Sequence, residues 1–302
     1  MPSSERTKGA WYVGLSYTLW GFFPIYWKAL AGISALQLIC HRIVWSFLLL
    51  IVIVARSKDW APLWQAFRTP RVAIVYTVAA MAIAINWLIF VWAVAVNQIV
   101  QISLGYFINP LLSVVLGMVI FHERLRRLQW VSVALVAAGV LYLTIALHAL
   151  PWIALSLAAT FGTYGLMKKI APLGPVIGLT LETGILFLPA AIYLIIEQLS
   201  GRGAFLHSGA LGDALMFGAG PTTAFPLLLF AAGIRRIPLS LAGMLQYINP
   251  TMQISIGVLV YEEPFTRIQL VGFAFVWSAL ALFALEGYAT HRWPQLGVTE
   301  VT

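Results

Sequence analysis

Long apolar segments alternate with short polar ones along most of the chain. The apolar segments run for about 20 residues, the length at which a helix crosses the ~30 Å hydrocarbon core of a bilayer. A membrane β-barrel would instead show short segments of alternating apolar and polar residues. The pattern therefore predicts an all-α polytopic membrane protein with ten transmembrane helices. The predicted spans are Ala10–Leu30, Ala35–Ala55, Val72–Trp92, Ile99–Phe121, Leu128–Leu147, Ile153–Met167, Val176–Ile196, Ala214–Gly233, Leu239–Tyr261 and Ile268–Tyr288.

Composition supports this fold class and narrows the chemistry. The chain is 61% hydrophobic and 9% charged, with a mean hydropathy of +0.92. Its single cysteine, Cys40, excludes an intramolecular disulfide and a cysteine-based metal cluster. Walker A, GxSxG and HExxH sequences are absent, so we expect neither an enzyme nor a cofactor or metal site. The first apolar segment is too long for a signal peptide, and we expect a retained span.

The positive charges predict the orientation in the membrane. With the amino terminus placed inside, fourteen Lys and Arg residues fall on the cytoplasmic side and three, Lys28, Arg202 and Arg267, fall outside. This bias predicts that both termini are cytoplasmic. The net charge of +8 is then explained by topology. The expected partners are the lipid bilayer and a small-molecule substrate, and nucleic acid is not expected.

One cytoplasmic linker, Ser57–Pro70, differs from the others. It carries Trp60, Trp64 and Phe67 at helical spacing among basic residues. Such a segment is typical of an amphipathic turn at the lipid headgroups. We expect it to have a structural role.

The chain contains an internal repeat at a constant offset of 140 positions, which is the separation of Asn109 from Asn249. Eight of the 24 residues in 108–131 recur in 248–271, among them the pairs Asn109/Asn249 and Pro110/Pro250. We predict two five-helix units, residues 1–148 and 149–302. Because five is odd, the second unit enters the membrane from the opposite face. Inverted repeats of this kind are common in secondary transporters, where they interconvert inward-open and outward-open states.

The two Asn-Pro pairs lie in the middle of apolar spans. Pro110 and Pro250 each remove a backbone donor and are expected to kink their helices. Asn109 and Asn249 need polar partners in hydrocarbon, so both spans should face the bundle interior. Two interpretations stay open for the Asn side chains: contact with a substrate in a cavity, or a packing role at the kink.

Several stretches, among them LWGFFPIYWK, ICHRIVWSFLLL, INWLIFVWAV, SLGYFINPLLSVVLGM, FGTYGLMKK and LQYINPT, resemble the drug/metabolite transporter superfamily, specifically its ten-span EamA-type branch. The resemblance covers almost the whole chain. It implies a bacterial inner-membrane protein with two EamA repeats and a central cavity formed by spans 1–4 and 6–9. It also implies that spans 5 and 10 lie at the periphery, where they can mediate a homodimer. Members move amino acids, nucleotide sugars, polyamines or drug-like compounds, and the resemblance does not fix the substrate.

Ionisable residues inside spans are the first candidates for a substrate site. Arg42 and Glu182 are separated by the same offset as the repeat, so they occupy equivalent positions in its two copies and are expected to approach each other. One interpretation is a structural ion pair. The other is that Arg42 binds a carboxylate and Glu182 binds an amine or a proton. His41 is a second candidate for proton coupling, or a histidine hydrogen-bonded within the bundle.

Aromatic and amide side chains away from the predicted interfaces complete the set of candidates. Such groups offer π faces and polar handles to amphipathic ligands, although many will serve packing alone. They are Trp20, Asn86, Trp87, Tyr106, Tyr164, Gln246 and Tyr247.

Three classes of function are compatible with these features. A secondary carrier or exporter of small metabolites or drug-like compounds is favoured by the repeat, the kinks and the buried charges. The alternative is a lipid flippase or a channel-like pathway without a saturable site. A membrane scaffold is least favoured, because it gives no reason for Arg42 and Glu182 to lie inside spans.

Overall fold

The computed structural model describes residues 3–30, 32–58, 60–95, 99–146, 152–262 and 266–292. In these ranges the chain forms thirteen helices and no strand. The helices are α1 (Ser3–Gly21), α2 (Phe23–Lys28), α3 (Ala35–Ser57), α4 (Trp60–Arg68), α5 (Pro70–Ala95), α6 (Ile99–Phe121), α7 (Arg127–Ala146), α8 (Trp152–Ile170), α9 (Pro175–Leu199), α10 (Gly209–Ile234), α11 (Leu239–Leu245), α12 (Ile248–Val260) and α13 (Arg267–Arg292).

Helices occupy each of the ten predicted spans. Five segments are long and apolar enough to cross a bilayer: Ala35–Ser57, Pro70–Phe90, Arg127–Ala146, Pro175–Leu199 and Gly209–Ile234. Shorter apolar helices include Ile108–Phe121 and Leu270–Ala279. The all-α membrane fold is thus confirmed, and the number of ten crossings stays a prediction. The predicted boundary between residues 148 and 149 lies outside the described residues.

The two Asn-Pro pairs have different effects on the backbone. The helix α6 continues through Pro110, whereas the equivalent span in the second repeat divides into α11 and α12 just before Pro250. The peptide N–H of Asn249 then bonds the carbonyl of Gln246 at 3.0 Å. Span 1 divides as well, at Phe22, and the short helix α2 begins at Phe23 with Pro24 in its first turn. Proline without a backbone donor is tolerated in the first turn of a helix, which explains both restarts.

The packing of the helices follows the repeat. A shift of 140 positions makes these elements equivalent: α6 and α11–α12, α8 and α1–α2, α5 and α10, α3 and α9, and α7 and α13. The packed pair α6–α8 therefore corresponds to α12–α1, the pair α5–α8 to α10–α1, and the pair α3–α10 to α9–α5. All of these pairs are in contact, as are the self-related pairs α3–α9, α6–α11 and α7–α13. The bundle thus has the two-repeat architecture that the sequence predicts.

The helices α7 and α13 pack closely on each other. A Cβ at Gly139 would lie 3.0 Å from the Cβ of Phe275, and one at Gly272 would lie 2.7 Å from Leu143. These close approaches depend on glycine, as is common where membrane helices cross. The linker helix α4 also forms as predicted, with Trp64 62% exposed and Arg68 over its ring.

Candidate functional site

A small cavity lies between α3, α5, α8, α9 and α10. Its accessible volume is about 10 Å³, which is room for about one water molecule. It is lined by Arg42, Ile43, Ser46, Ile83, Trp87, Tyr164, Leu179, Glu182, Thr183, Leu186, Thr223 and Leu227. Binding of any larger solute therefore requires the helices around it to separate.

The cavity lies on the pseudo-two-fold axis that relates the repeats. Ten of its lining residues form five pairs whose members are separated by the repeat offset. The pairs are Arg42/Glu182, Ile43/Thr183, Ser46/Leu186, Ile83/Thr223 and Trp87/Leu227. Within each pair the chemistry differs, so the two halves of the cavity have the same framework and different side chains.

Arg42 provides the cationic group of the cavity. Its Nε donates to the Thr223 hydroxyl oxygen at 2.9 Å. Its guanidinium lies 4.4 Å from the ring centroid of Trp87, 5.0 Å from that of Trp27 and 5.7 Å from that of Phe23. Phe23 and Trp27 are four residues apart on α2, so one face of this short helix presents both rings. Aromatic faces attract a buried cation but leave its in-plane N–H groups available.

Glu182 forms an ion pair with Lys168 and not with Arg42, so of the two interpretations of Arg42 and Glu182 the structural pair between them is not the one formed. The Lys168 ammonium donates to Oε1 of Glu182 at 2.7 Å, and the Tyr164 hydroxyl donates to Oε2 at 3.3 Å. Both charged side chains are only 2% exposed. The short α8–α9 connection brings Lys168 to Glu182, while Arg42 is held by Thr223 and the aromatic rings instead. Arg42 and Glu182 share the cavity without forming an ion pair or a hydrogen bond with each other.

Lys168 is one of the fourteen residues that the charge count places on the cytoplasmic side, because it lies at the end of a predicted span. The structure places it inside the bundle instead, over the rings of Tyr164 and Tyr76 at 5.8 and 6.0 Å. Without Lys168 the count is thirteen against three, so the predicted orientation is unaffected.

The aromatic candidates divide into two groups. Trp87 and Tyr164 line the cavity. Trp20 instead packs in an aromatic cluster, with ring centroids 6.1 Å from Phe161 and 5.8 Å from Phe230. Phe230 also stacks on Tyr164 at 6.1 Å. Trp20 can therefore act on the cavity only through this cluster.

Asn86, Tyr106 and Tyr247 pack between helices in this conformation, and the Tyr106 hydroxyl also lies within electrostatic range of Arg42. The Asn86 amide donates to the Leu157 carbonyl and the Thr160 hydroxyl, both at 2.9 Å, which joins α5 to α8. Tyr106 packs in a cluster around Leu157 and contacts the Phe90 ring at 6.4 Å. Tyr247 is fully buried in another cluster. None of the three lines the cavity.

His41 points away from the cavity, although it precedes Arg42 in the sequence. Its ring packs at 5.3 Å from that of Phe205 in the segment between α9 and α10. It is 6% exposed, and its Nδ1 has no hydrogen-bond partner within the described part of the chain. Adjacent helical residues point about 100° apart, which accounts for the separation.

The side chains of Asn109, Gln246 and Asn249 are buried at the crossings of the Asn-Pro spans. They are 2%, 3% and 8% exposed. Their amide oxygens have no hydrogen-bond partner among the residues that the structure describes. They do not line the central cavity. Their place between helices agrees with the prediction that these spans face the bundle interior.

The similarity of this chain to known proteins extends over almost its whole length. The EamA-like transporter family matches the chain twice, over residues 7–145 and 150–285. The chain belongs to the EamA-like transporter family. It is 41% identical to the uncharacterized transporter YojE of Bacillus subtilis, covering 95% of this chain and 96% of that protein. It is 37% identical to Protein RarD of Escherichia coli, covering 97% and 99%.

A solved crystal structure has the same fold as this chain. It superposes with a TM-score of 0.70 over 93% of this chain and 98% of that one, at 16% sequence identity. At this identity the likeness shows the fold alone. The protein is therefore a multi-pass membrane transporter of the EamA-like family.

Sequence reasoning missed three residues that shape the EamA site. Lys168 neutralises Glu182, Thr223 holds Arg42, and the Ser46 hydroxyl donates to the Gly220 carbonyl at 3.0 Å on the cavity wall. The repeat offset could have indicated Thr223, because it pairs Thr223 with Ile83 and both residues line the same cavity as Arg42.

Polar contacts close both ends of the bundle. At the end that contains Glu123, its carboxylate accepts bonds from the backbone N–H groups of Leu239 and Ser240 at 2.7 and 3.0 Å, which caps α11. At the end that contains Gln37, its amide donates to the Arg202 carbonyl at 2.8 Å and accepts from the Ala204 N–H at 2.9 Å. These contacts tie helices together at both ends of the bundle.

Proposed function

We propose that the protein is a secondary carrier that moves small amphipathic metabolites or drug-like compounds by alternating access. Neutral and aromatic amino acids and their derivatives belong to this class. The observation that carries the proposal is the cavity on the pseudo-two-fold axis, with Arg42 inside it. Carriers built from inverted repeats bind their solute at the interface of the repeats. A costly intramembrane charge at that point is explained by solute binding.

Alternating access is supported by the polar contacts at the two ends. The cap that Glu123 places on α11 joins the last residues of one repeat's fourth span to the first residues of its counterpart. The clamp formed by Gln37 joins α3 to the segment after α9 at the opposite end. Breaking one set while the other stays intact opens the cavity to one side only. The predicted orientation places the Glu123 end in the cytoplasm.

Proton coupling is assigned in this proposal to Glu182. It faces the cavity and is paired with the ammonium of Lys168. A proton on Glu182 releases that ammonium, which rearranges the contact between α8 and α9. His41 is the weaker candidate because its ring packs against Phe205, away from the cavity.

We also propose that α7 and α13 form the surface of a homodimer. They pack on each other at the edge of the bundle, and outward residues such as Leu141 and Ile145 are 59% and 63% exposed. Cross-linking of purified protein in nanodiscs, with cysteine at Ile145, tests this arrangement. A monomer under all conditions would contradict it.

The carrier function is tested by counterflow in proteoliposomes with a panel of amino acids, their deaminated acids and drug-like amines. Wild-type protein is expected to give saturable exchange of at least one class, and Arg42→Ala to lose it. Arg56→Ala is the matched control, because Arg56 is on the same helix and exposed. Ion or lipid flux without saturation would indicate the channel or flippase alternative.

Coupling is tested in the same vesicles with an imposed pH gradient. Glu182→Gln leaves Lys168 without its carboxylate, so its folding is checked first by thermal unfolding; the folded variant is expected to lose accumulation driven by the gradient while exchange at equal pH persists. Accumulation that is unchanged in Glu182→Gln would remove Glu182 from the coupling role.

A further inference from the structure

The charges around the cavity do not balance. Arg42 and Glu182 both line it, and Lys168, which does not line it, forms an ion pair with Glu182. Glu182 is therefore already neutralised by an ammonium at 2.7 Å. Across the described residues, no carboxylate lies within ion-pair distance of Arg42. The cavity and its immediate wall thus hold one positive charge in excess.

The contacts of Arg42 leave a defined edge for a ligand. Its Nε is occupied by Thr223, and aromatic rings lie over the plane of the guanidinium. These rings supply no negative charge. A guanidinium offers paired N–H groups in its plane, and their geometry matches a carboxylate. The missing counter-charge is therefore of the kind that a carboxylate group supplies.

The same contacts disfavour a zwitterion. The ammonium of an amino acid needs an acceptor near the carboxylate site, and Glu182 is the only acidic side chain among the described residues that line the cavity. Both of its oxygens already accept bonds, one from Lys168 and one from Tyr164. An incoming ammonium would have to displace Lys168, which is 2% exposed. Binding a second cation here leaves one of the two uncompensated.

Most of the remaining lining is apolar. Besides the ring of Trp87, it consists largely of aliphatic side chains contributed by α3, α5, α9 and α10: Ile43, Ile83, Leu179, Leu186 and Leu227. Such a wall suits a hydrocarbon or aryl group next to the charged head.

We infer that the carrier selects small hydrophobic monocarboxylates over the corresponding zwitterions and amines, with Arg42 as the binding residue for the carboxylate. This inference rests on the proposed carrier function and narrows its substrate class. The Lys168–Glu182 pair then acts as an internal counter-charge that excludes a second cation from the site.

Binding to purified protein in nanodiscs at pH 7.5 tests this selectivity without interference from passive permeation of weak acids. Four ligands share one aryl chain: 3-phenylpropanoate, phenylalanine, 2-phenylethylamine and 3-phenylpropan-1-ol. We expect the carboxylate to bind at least tenfold more tightly than the other three. Arg42→Gln is expected to remove that preference, and Arg42→Lys to reduce it, because a lysine retains the charge without the paired N–H groups.

Folding of each variant is checked by thermal unfolding, and Thr223→Val serves as a second probe. It keeps the guanidinium but removes its Nε acceptor, so a smaller loss of carboxylate affinity is expected. Tightest binding of phenylalanine or of the amine, or an unchanged carboxylate preference in Arg42→Gln, would overturn the inference. So would an absence of binding by all four ligands.

Failure of this inference is separable from failure of the carrier function. Saturable counterflow of phenylalanine, with no preference for 3-phenylpropanoate, would keep the carrier and reject the monocarboxylate class. An absence of saturable exchange with any solute of the wider panel would reject the carrier itself.

Discussion

Removing Lys168 is the change that most sharply tests the buried pair. Both Lys168 and Glu182 are 2% exposed, and their charged atoms are 2.7 Å apart. Loss of one partner from such a pair leaves an uncompensated charge in a low-dielectric interior, at a cost of about 3–5 kcal/mol. We therefore expect Lys168→Met to lower the free energy of unfolding by about that amount.

A double variant shows whether the lost stability comes from leaving one charge unpaired or from changing the two positions themselves. Replacement of both members of a buried ion pair by apolar residues of similar volume is often neutral or stabilising. Lys168→Met/Glu182→Leu should consequently recover most of the stability that Lys168→Met loses. The Tyr164 hydroxyl, which donates to Glu182, then loses its acceptor, so recovery is expected to fall short by about 1–3 kcal/mol.

Equilibrium unfolding in mixed micelles, with increasing SDS, measures these free energies. Arg56→Met is the control, because Arg56 is exposed on α3 and should not affect the unfolding midpoint measurably. A Lys168→Met variant as stable as the wild type would contradict a stabilising role of the buried pair. So would a double variant whose loss equals the sum of the two single losses.

Three further results are expected from the packing and the surface charges. Gly243→Ala should destabilise the protein by about 1–3 kcal/mol in the same unfolding assay, because the new Cβ would lie 2.7 Å from a backbone oxygen of α6. Gly14→Ala is the control. Its Cβ has its nearest neighbour at 4.0 Å, so this variant should be neutral or slightly stabilising. Asn86→Leu should cost about 0.6–1.7 kcal/mol, since it removes the two bonds that join α5 to α8, and a gain in stability would contradict this. Lys8 and Arg236 hold the pKa of Glu5 below its ordinary value of 4.5. The difference in free energy of unfolding between the wild type and Glu5→Gln should therefore persist at neutral pH and disappear only as the pH falls below about 4.5. A difference that disappears between pH 7 and 5 would contradict this pairing of Glu5.

Hydropathy and the repeat were sufficient to predict the helices and to place Arg42 and Glu182 at equivalent positions in the two repeats. Apolar runs of membrane-spanning length must be helical because their backbone groups find no partner in lipid. The repeat offset then places Arg42 and Glu182 at equivalent depth, and both line the cavity. This part of the site depends on position along the chain alone.

The contacts of those residues depend on helix rotation, which the sequence does not specify. Glu182 bonds to Lys168 because the α8–α9 hairpin turns both side chains inward. The same uncertainty separates Trp87, which faces Arg42, from Trp20, which faces Phe230. In a chain with 13% aromatic residues, composition does not distinguish a cavity ring from a packing ring. The break before Pro250 and the continuity through Pro110 differ for a similar reason, since the same dipeptide has different neighbours in the two repeats.

Accessibility of a cysteine at Ser46 tests most directly whether the central cavity opens to both sides of the membrane. Ser46 is fully buried and lines the cavity, and Ser132 on α7 is equally buried but remote from it. In a Cys40→Ser background, right-side-out and inverted vesicles are treated with a membrane-impermeant thiol reagent. Ser46→Cys is expected to react from both sides, because the carrier exposes the cavity alternately, while Ser132→Cys is expected not to react. A Ser46→Cys variant as inert as Ser132→Cys from both sides, or reactive from one side only, would contradict alternating access at this cavity.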